Sequence, residues 1–129
     1  DDKTAKLWDL LGNCLVTFTG HNNSVWSVSF SPTGDRIATA SDDKTAKLWD
    51  LLGNCLVTFT GHNNSVNSVS FSPTRDAIAT ASSDKTAKLW DLQGNSLVTF
   101  TGHNGRVRSV SFSPTRDAIA TASSDKTAK

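Results

Sequence analysis

A 41-residue repeat constrains this chain more strongly than any other feature of its sequence. A Gly-His dipeptide and a Trp-Asp dipeptide each occur three times, separated in each case by 41 positions. The repeats are residues 1–41, 42–82 and 83–123, and a remainder, 124–129, restarts the pattern. A fixed period of this length is typical of architectures in which each unit buries its apolar surface against the next unit.

The sequence pattern of each repeat predicts four β-strands and no helix. In the second repeat, the alternating or β-branched segments are 45–49, 56–60, 68–71 and 77–81. Segments rich in Gly, Pro, Asn and Asp separate these strands, as expected where the backbone reverses direction. Apolar residues do not recur at helical spacing in any window long enough to form a helix. We therefore predict an all-β chain of four-stranded antiparallel sheets.

The overall composition is that of an ordinary globular protein. Its 129 residues are 36% hydrophobic and 19% charged. The net charge of +1 gives no field that would attract nucleic acid or an anionic membrane surface. No apolar run approaches the roughly 18 residues of a membrane span, so we expect no membrane partner. The chain lacks Met and begins inside a repeat, which indicates a fragment of a longer array, natural or engineered.

The recurring residues closely resemble those of the WD-repeat β-propeller family. In each copy Gly-His precedes Val-x-x-Val-x-Phe-Ser-Pro and then Ile-Ala-Thr-Ala-Ser-x-Asp-Lys-Thr, and Leu-Trp-Asp follows in the first two copies. This resemblance implies a β-propeller of four-stranded antiparallel blades, in which each repeat spans two blades. Residues 1–20 would then be the outer half of one blade and residues 103–123 the inner half of another. Two complete blades would lie between them.

The resemblance also implies one structural tetrad per blade, a hydrogen-bonded chain of His, Thr, Asp and Trp. Carried over by position, the three tetrads are His21, Thr39, Asp43 and Trp49; His62, Thr80, Asp84 and Trp90; and His103, Thr121, Asp125 and Trp8. Ser41 and Ser82 are alternative hydroxyls, two residues further along the same strand face. In such a chain the indole N–H, the hydroxyl, the imidazole and the carboxylate satisfy one another, so no polar group is buried unpaired.

A catalytic interpretation of the same Thr, His and Asp residues is disfavoured. The hydroxyl would be held between Trp and His, no glycine-rich elbow accompanies it, and the set recurs once per blade. Each repeat has one His, and the chain has no Cys-x-x-Cys motif, so we expect no metal site. We also expect no cofactor. Cys14 and Cys55 would lie on adjacent sheets about 10 Å apart, too far for a disulfide. We therefore expect both thiols to be free, which indicates a reducing compartment such as the cytoplasm.

Differences among the repeats identify candidate partner-binding residues. They cluster at three equivalent positions, occupied by Ser24, Ser65 and Arg106; by Trp26, Asn67 and Arg108; and by Asp42, Ser83 and Ser124. In the family that the chain resembles, these positions lie on the top face around the channel mouth, where partners commonly dock. Exposed aromatic and Arg side chains are frequent binding hot spots. The alternative is that the differences reflect drift among recently duplicated repeats.

Two classes of function follow from these residues. The first is a non-catalytic structural and interaction scaffold that binds a protein or peptide on its top face. The second is weak nucleic-acid binding through Arg75, Arg106, Arg108 and Arg116. A basic patch without stacking aromatic residues nearby is a weak signal for nucleic acid, so we favour the scaffold.

An open segment of blades would expose apolar end faces, so we expect the ring to close by homo-oligomerisation. Trp8 of one copy would join His103 and Thr121 of the next. Asp2 and Asp125 compete for one position in that junction, and we favour Asp125. Each chain supplies three blades, so the closed ring would be a six-bladed dimer or a nine-bladed trimer. We expect the homotrimer, because six blades would crowd the inner strands, and overpacking costs about 1 to 3 kcal/mol at each affected site.

Overall fold

A computed structural model describes residues 5–8, 11–21, 24–32, 34–73, 77–112 and 119–123. These residues form twelve β-strands. The strands are β1 Ala5–Trp8, β2 Cys14–Phe18, β3 Val25–Phe30, β4 Arg36–Ser41, β5 Ala46–Asp50, β6 Cys55–Phe59, β7 Val66–Phe71, β8 Ala77–Ser82, β9 Ala87–Asp91, β10 Ser96–Phe100, β11 Val107–Phe112 and β12 Ile119–Ser123. None of the described residues lies in a helix long and apolar enough to cross a membrane.

Neighbouring strands along the chain pair antiparallel into four sheets. Strands β3 to β6 form one four-stranded sheet, the first blade, and β7 to β10 form another, the second blade. Strands β1 and β2 form an outer half-sheet, and β11 and β12 form an inner half-sheet. The prediction of four-stranded antiparallel sheets is confirmed, and in the second repeat the strand bounds differ from the predicted ones by no more than two residues. The described strands do not form a closed ring.

The core lies between the sheets, where small residues on one blade meet branched residues on the next. Ala38 and Ala40 of β4 are completely buried in the same cluster as Val66 and Val69 of β7. The same contact recurs one repeat later, where Ala79 and Ala81 pack with Val107 and Val110. Alanine on one face leaves room for the larger side chains of the facing strand, so adjacent blades approach closely.

Aromatic contacts join the outer parts of neighbouring sheets. Phe18 of the outer half-sheet packs edge-on against Trp49 of the first blade, with ring centroids 5.6 Å apart. Phe59 of the first blade makes the same contact with Trp90 of the second blade, again at 5.6 Å. Edge-to-face geometry is favourable for aromatic pairs at this separation. The Trp-Asp strands β5 and β9 therefore each pack on the outermost strand of the preceding sheet.

Serine side chains cover the backbone of the innermost strands. The Val69 N–H lies 3.4 Å from Ser27 Oγ, and the Phe71 N–H lies 3.3 Å from Ser29 Oγ. The Val110 N–H lies 3.4 Å from Ser68 Oγ. In each pair the N–H donates to the hydroxyl of the preceding blade. Backbone donors at a sheet edge need such partners, because an unpaired edge is a template for association with another chain.

The Asp of each described Trp-Asp pair closes the turn after its strand. Asp50 Oδ1 accepts hydrogen bonds from the backbone N–H groups of Leu52 and Asn54, at 2.9 and 3.0 Å. Asp91 makes the equivalent bonds to Gln93 and Asn95. A carboxylate that accepts backbone bonds two and four residues ahead stabilises a tight turn. The pair thus combines a core tryptophan with a turn-forming aspartate.

Equivalent residues differ in exposure only where a neighbouring sheet is missing. Val28 is 53% exposed, whereas Val69 and Val110 are each 4% exposed. At the other end of the chain, Phe100 is 37% exposed, whereas Phe18 and Phe59 are each 1% exposed. Because the repeats are nearly identical in sequence, these differences arise from position in the array. The first blade and the second blade each present an uncovered apolar face.

We predict that Gly61→Ala destabilises the fold because of a close approach to Trp90. Gly61 has φ of +149°, and a Cβ there would lie 3.1 Å from the Trp90 ring. A buried indole cannot move aside freely, so the substitution should lower the free energy of unfolding by roughly 1 to 3 kcal/mol. Gly12→Ala is the control, since Gly12 has φ of +92° but nothing within 4 Å. Urea unfolding measures both, and equal losses would contradict a role for the contact with Trp90.

Candidate functional site

The first blade contains a continuous buried network of four side chains. The Trp49 indole N–H donates to Thr39 Oγ1 over 2.9 Å, and Thr39 Oγ1 lies 2.6 Å from His21 Nε2. His21 Nδ1 lies 2.9 Å from Asp43 Oδ2. Thr39 is completely buried, and His21 is 7% exposed. The structure therefore brings together the four residues that sequence analysis assigned to the first tetrad.

The second blade repeats this network with nearly the same geometry. Trp90 donates to Thr80 Oγ1 over 2.9 Å, and Thr80 Oγ1 lies 2.6 Å from His62 Nε2. His62 Nδ1 lies 2.8 Å from Asp84 Oδ2. Each set joins the loop before one strand to the second and third strands of the same blade. It fixes the relative positions of all these segments.

The inner half-sheet contains part of a third network. His103 Nε2 lies 2.7 Å from Thr121 Oγ1, so the imidazole and the hydroxyl meet as they do in the two blades. Asp125 lies outside the described residues. Trp8 lies on β1 near the start of the chain, and the structure does not describe its side chain. Within one chain, the structure does not place the Trp8 strand beside the inner half-sheet.

Hydrogen-bond chemistry fixes the protons of the complete networks. An indole N–H can only donate, so Thr39 Oγ1 accepts from Trp49. The ionised Asp43 carboxylate can only accept, so His21 carries a proton on Nδ1 and donates to Asp43. In the neutral imidazole Nε2 then has no proton and accepts from the Thr39 hydroxyl. This order requires a neutral imidazole, because a second proton on Nε2 would leave the threonine hydroxyl without its acceptor.

The pKa values of both histidines and of Asp84 are lowered, although burial and hydrogen bonding act in opposite directions on each group. Burial lowers the pKa of His62 below its ordinary value of 6.5, and the opposing effect of Asp84 is smaller. The pKa of His21 is lowered for the same reason. For Asp84, burial raises the pKa, but hydrogen bonds from Thr86, His62 and the Asn63 N–H together outweigh it and lower the pKa. The neutral imidazole and the ionised carboxylate are thus the favoured forms in the folded chain.

Ser41 and Ser82 bind backbone groups beside the networks. Ser41 Oγ donates to the Ser24 carbonyl over 2.8 Å, and Ser82 Oγ donates to the Ser65 carbonyl over the same distance. The threonine two residues earlier is the hydroxyl that lies between imidazole and indole in each blade. The two serines instead tie the start of the innermost strand to the following turn.

Sequence analysis did not assign Thr45 and Thr86 to the networks, although both hold the aspartates. The backbone N–H of Thr45 donates to Asp43 Oδ1 over 3.0 Å, and that of Thr86 makes the same bond to Asp84. The recurring Asp-Lys-Thr segment was the available signal, because Asp often accepts a bond from the N–H two residues ahead.

The buried networks are poorly suited to catalysis or metal binding. Thr39 and Thr80 are completely buried, and each hydroxyl is already bonded to both an imidazole and an indole. A substrate would reach them only if the core opened. Across the described part of the chain, no three His, Cys, Asp or Glu residues lie close enough to hold a metal ion. Cys14 and Cys55 are exposed free thiols.

A second feature is an open cleft of about 220 Å³, here called the Trp26 cleft. It brings together six of the nine residues that sequence analysis named at the variable positions, and Asn64 in addition, while Ser124 lies outside the described residues. The lining residues are Trp26, Asp42, Asn64, Ser65, Asn67, Ser83 and Arg106. Ser24 contributes its carbonyl to the turn beneath, and Arg108 is exposed but is not a lining residue. The difference between Asn64 and Gly105 was the sequence signal for Asn64.

The most variable repeat position coincides with a β-bulge. The register of β3 and β4 shifts between Val25 and Ser27, so Trp26 is the extra residue. Asn67 occupies the same place on β7, and Arg108 occupies it on β11. A bulge releases one side chain from the alternation of the strand and redirects it. This position can therefore change from Trp to Asn to Arg without altering the core.

Three side chains of the Trp26 cleft have no hydrogen-bond or ion-pair partner among the described residues. They are the Trp26 indole, which is 55% exposed, the Asp42 carboxylate and the Arg106 guanidinium. Asn67 is held in place, because its Nδ2 donates to Ser83 Oγ over 3.1 Å and to the Val107 carbonyl over 3.0 Å. The cleft thus combines an ordered centre with unpaired aromatic and charged groups at its margins.

The basic residues proposed for nucleic-acid binding do not form a single described patch. Arg75 and Arg116 lie outside the described residues. Arg106 and Arg108 are exposed, and Arg106 shares the Trp26 cleft with the carboxylate of Asp42. A mixed charge is a weaker attractant for phosphate groups than a basic surface.

Comparison with known proteins gives matches for each repeat. The family described as "WD domain, G-beta repeat" matches residues 12–50, 53–91 and 94–129. A 41-residue stretch is 51% identical to nuclear distribution protein nudF 2 of Aspergillus clavatus and 49% identical to nuclear distribution protein nudF 1 of Talaromyces marneffei. It is 46% identical to nuclear distribution protein PAC1 of Ajellomyces capsulatus. Each match covers 32% of the chain and 9% of the relative, so the matched region is less than a tenth of each relative's length.

We predict that Thr80→Val destabilises the second blade by roughly 2 to 4 kcal/mol. The substitution keeps the volume but leaves the Trp90 N–H and His62 Nε2 buried without a partner, and each such group costs about 1 to 3 kcal/mol. Thr58→Val is the matched control, since Thr58 is exposed and its hydroxyl bonds at the surface to the side chains of Lys47 and Cys55. Its effect on urea unfolding should stay within about 0.5 kcal/mol. Equal stability of Thr80→Val and the unaltered chain would show that the network is dispensable.

We predict that mild acid destabilises the chain. The pKa values of His21 and His62 are lower in the folded state, so their contribution is complete above pH 6.5 and is lost as the pH falls below that value. The lowered pKa of Asp84 extends the loss below its ordinary value of 3.8. The Tm should therefore fall between about pH 7.5 and about pH 5.5. The double variant His21→Gln/His62→Gln should be less stable but show a smaller fall, whereas an unchanged or rising Tm in the unaltered chain would contradict the assignment.

Proposed function

Because the chain belongs to the WD domain, G-beta repeat family, we propose that it is a non-catalytic scaffold for binding other proteins or peptides. Residues 1–129 act as one propeller segment that completes its ring with further copies of the same chain. The observation that carries the proposal of self-assembly is the pair of uncovered end faces, Val28 at one end and Phe100 at the other. Their equivalents inside the chain are buried by the neighbouring repeat.

The uncovered faces are complementary in residue type. Ala120 and Ala122 of the inner half-sheet are exposed, whereas the equivalent alanines of both complete blades are completely buried. Within the chain, such alanines pack against the valines of the next innermost strand. The next strand of this kind is β3 of another copy, which presents the exposed Val28 and Phe30. One copy therefore supplies the surface that the other lacks.

The outer half-sheet completes the same junction. Phe18 and Phe59 each pack on a tryptophan of the following repeat, but no such residue follows Phe100 within the chain. In our proposal Trp8 of a second copy takes this place and donates its indole N–H to Thr121 of the first. Asp125 of the first copy, rather than Asp2 of the second, completes the network with His103. The junction blade is then assembled from two copies.

Three copies and nine blades are the proposed ring. Neighbouring blades in a six-bladed ring turn by roughly 60° and those in a nine-bladed ring by roughly 40°, against roughly 51° for seven blades. A dimer would press the innermost strands toward a narrow axis and overpack their side chains, at about 1 to 3 kcal/mol per affected site. Burial of a few hundred Å² at each junction contributes several kcal/mol at about 25 cal/mol per Å², before the entropy of association.

The Trp26 cleft is the proposed binding site for a protein or peptide. It is lined by residues of all three repeats, and its aromatic and charged groups are available to a partner. Nucleic acid is the weaker alternative, because Asp42 shares the cleft with Arg106 and the net charge is only +1. The free thiols Cys14 and Cys55 fit a reducing compartment such as the cytoplasm.

Solution mass tests the assembly. Light scattering at micromolar concentration should give about three times the 13.8 kDa of one chain. Val28→Asp should shift the mass toward a single chain, because a charge would be buried at the junction. Leu15→Asp is the control: Leu15 is 58% exposed, and its equivalent inside the chain, Leu56, is also exposed.

Each alternative mass has a defined meaning for the proposal. A mass of one chain for the unaltered protein would refute self-assembly. A mass of two chains would keep the composite junction but replace nine blades with six. Equal dissociation by Val28→Asp and Leu15→Asp would show that the β3 face is not the junction.

A further inference from the structure

We infer that the Trp26 cleft selects an extended peptide segment with one basic and one acidic side chain. This inference rests on the proposed role of the cleft as a peptide-binding site and adds the chemistry of its ligand. The basic group lies between the Trp26 ring and the Asp42 carboxylate, and the acidic group binds the Arg106 guanidinium. The peptide backbone crosses the second blade between these two ends.

The lining residues lie in a defined order across the cleft. Trp26 and Asp42 belong to the first blade, Asn67 and Ser83 to the second, and Arg106 to the loop before the inner half-sheet. The innermost strands β3, β7 and β11 contact one another in that sequence. The aromatic and acidic groups are therefore at one end of the cleft, and the guanidinium is at the other.

A basic side chain matches the first end. The Trp26 indole is 55% exposed, and neither it nor the Asp42 carboxylate has a partner among the described residues. An indole face attracts Lys or Arg cations, and a nearby carboxylate adds a charge-assisted hydrogen bond. An acidic or purely aliphatic group would leave the Asp42 charge uncompensated.

A carboxylate matches the second end. The Arg106 side chain is exposed and, in the described part of the chain, has no acceptor, whereas its carbonyl accepts from Ser123 Oγ over 2.8 Å. The backbone that carries the guanidinium is thus held in position. A guanidinium binds a carboxylate through two parallel hydrogen bonds, which gives both affinity and orientation.

The centre of the cleft suits an extended backbone. Asn67 Nδ2 is committed to Ser83 Oγ and to the Val107 carbonyl, which orients the amide. Its Oδ1 is then the atom able to accept from a peptide N–H. This central group carries no charge, so it does not discriminate among the residues between the two ends of the ligand.

The aromatic and basic determinants each occur at one repeat only, and the acidic one occurs at Asp42 and at the equivalent Asp1 but not in the third repeat. Asn67 and Arg108 replace Trp26, Ser83 replaces Asp42, and Ser24 and Ser65 replace Arg106 at the equivalent positions. A chain of identical repeats would present the same groups at every junction. The differences between repeats instead give the cleft a basic-binding end and an acid-binding end.

The repeats themselves supply variants that test this inference. Trp26→Asn, Asp42→Ser and Arg106→Ser each introduce the residue found at the same position in another repeat, so the fold should be preserved. Arg108→Asn removes an arginine outside the cleft lining and is the charge-matched control for Arg106→Ser. The Tm of each variant confirms that it is folded.

The probes are fluorescein-labelled Gly/Ser peptides that differ at only two positions. The residues at these two positions are Lys and Glu, Lys and Gln, Gln and Glu, or Gln and Gln. One to four residues separate the two positions. Fluorescence anisotropy at low salt should show that the best-spaced Lys/Glu peptide binds roughly tenfold more tightly than either singly charged peptide. Trp26→Asn and Asp42→Ser should remove the preference for Lys, and Arg106→Ser should remove the preference for Glu. Arg108→Asn should change neither.

Three outcomes would overturn the inference. A Gln/Gln peptide that binds as tightly as Lys/Glu, with binding lost in Trp26→Asn, would remove charge selection but keep the cleft as a peptide site. An equal loss in Arg106→Ser and Arg108→Asn would indicate non-specific attraction. Absence of binding by every peptide to a chain with the mass of the assembly would refute both this ligand and the peptide-binding part of the proposed function, while self-assembly would stand.

Discussion

The buried tryptophan N–H of each blade needs an acceptor, and the rest of the structure depends on how that need is met. Thr39 accepts the bond from Trp49, His21 accepts from Thr39, and Asp43 accepts from His21. These residues come from a loop, two strands and a turn, so one chain of hydrogen bonds fixes a whole blade. The glycine before each histidine has no Cβ to strike the indole, which lets the loop approach the ring closely.

Blade packing is the basis of the proposed assembly of copies. In the core between described blades, alanines on one face pack against larger residues on the other. Among the described residues, the alanine face of the inner half-sheet and the valine face of β3 are exposed, and in the proposed assembly another copy covers each of them. In the same proposal the third hydrogen-bond network is shared between two copies. The proposed assembly uses the packing that already joins the repeats within one chain.

The sequence predicted strands and sheets well because alternation, turn residues and a fixed period all indicate the same arrangement. The two complete networks could be placed by position, although the choice of Thr39 over Ser41 depends on where the indole lies. The Trp26 cleft was only partly predictable. Its variable residues were visible, but the bulge at Trp26 and the anchoring of Asn67 arise from strand register and contacts between blades. The proposed junction of copies combines residues from opposite ends of the sequence, and it stays a prediction.

Hydrogen exchange of the four tryptophan indole N–H groups tests the composite junction most directly. In the ¹⁵N-labelled protein, Trp49 and Trp90 provide the reference for a buried, bonded indole, and the exposed Trp26 provides the reference for an open one. Completion of the junction blade by a second copy predicts that Trp8 exchanges as slowly as Trp49 and Trp90. Exchange of Trp8 as fast as that of Trp26 would contradict the proposed junction.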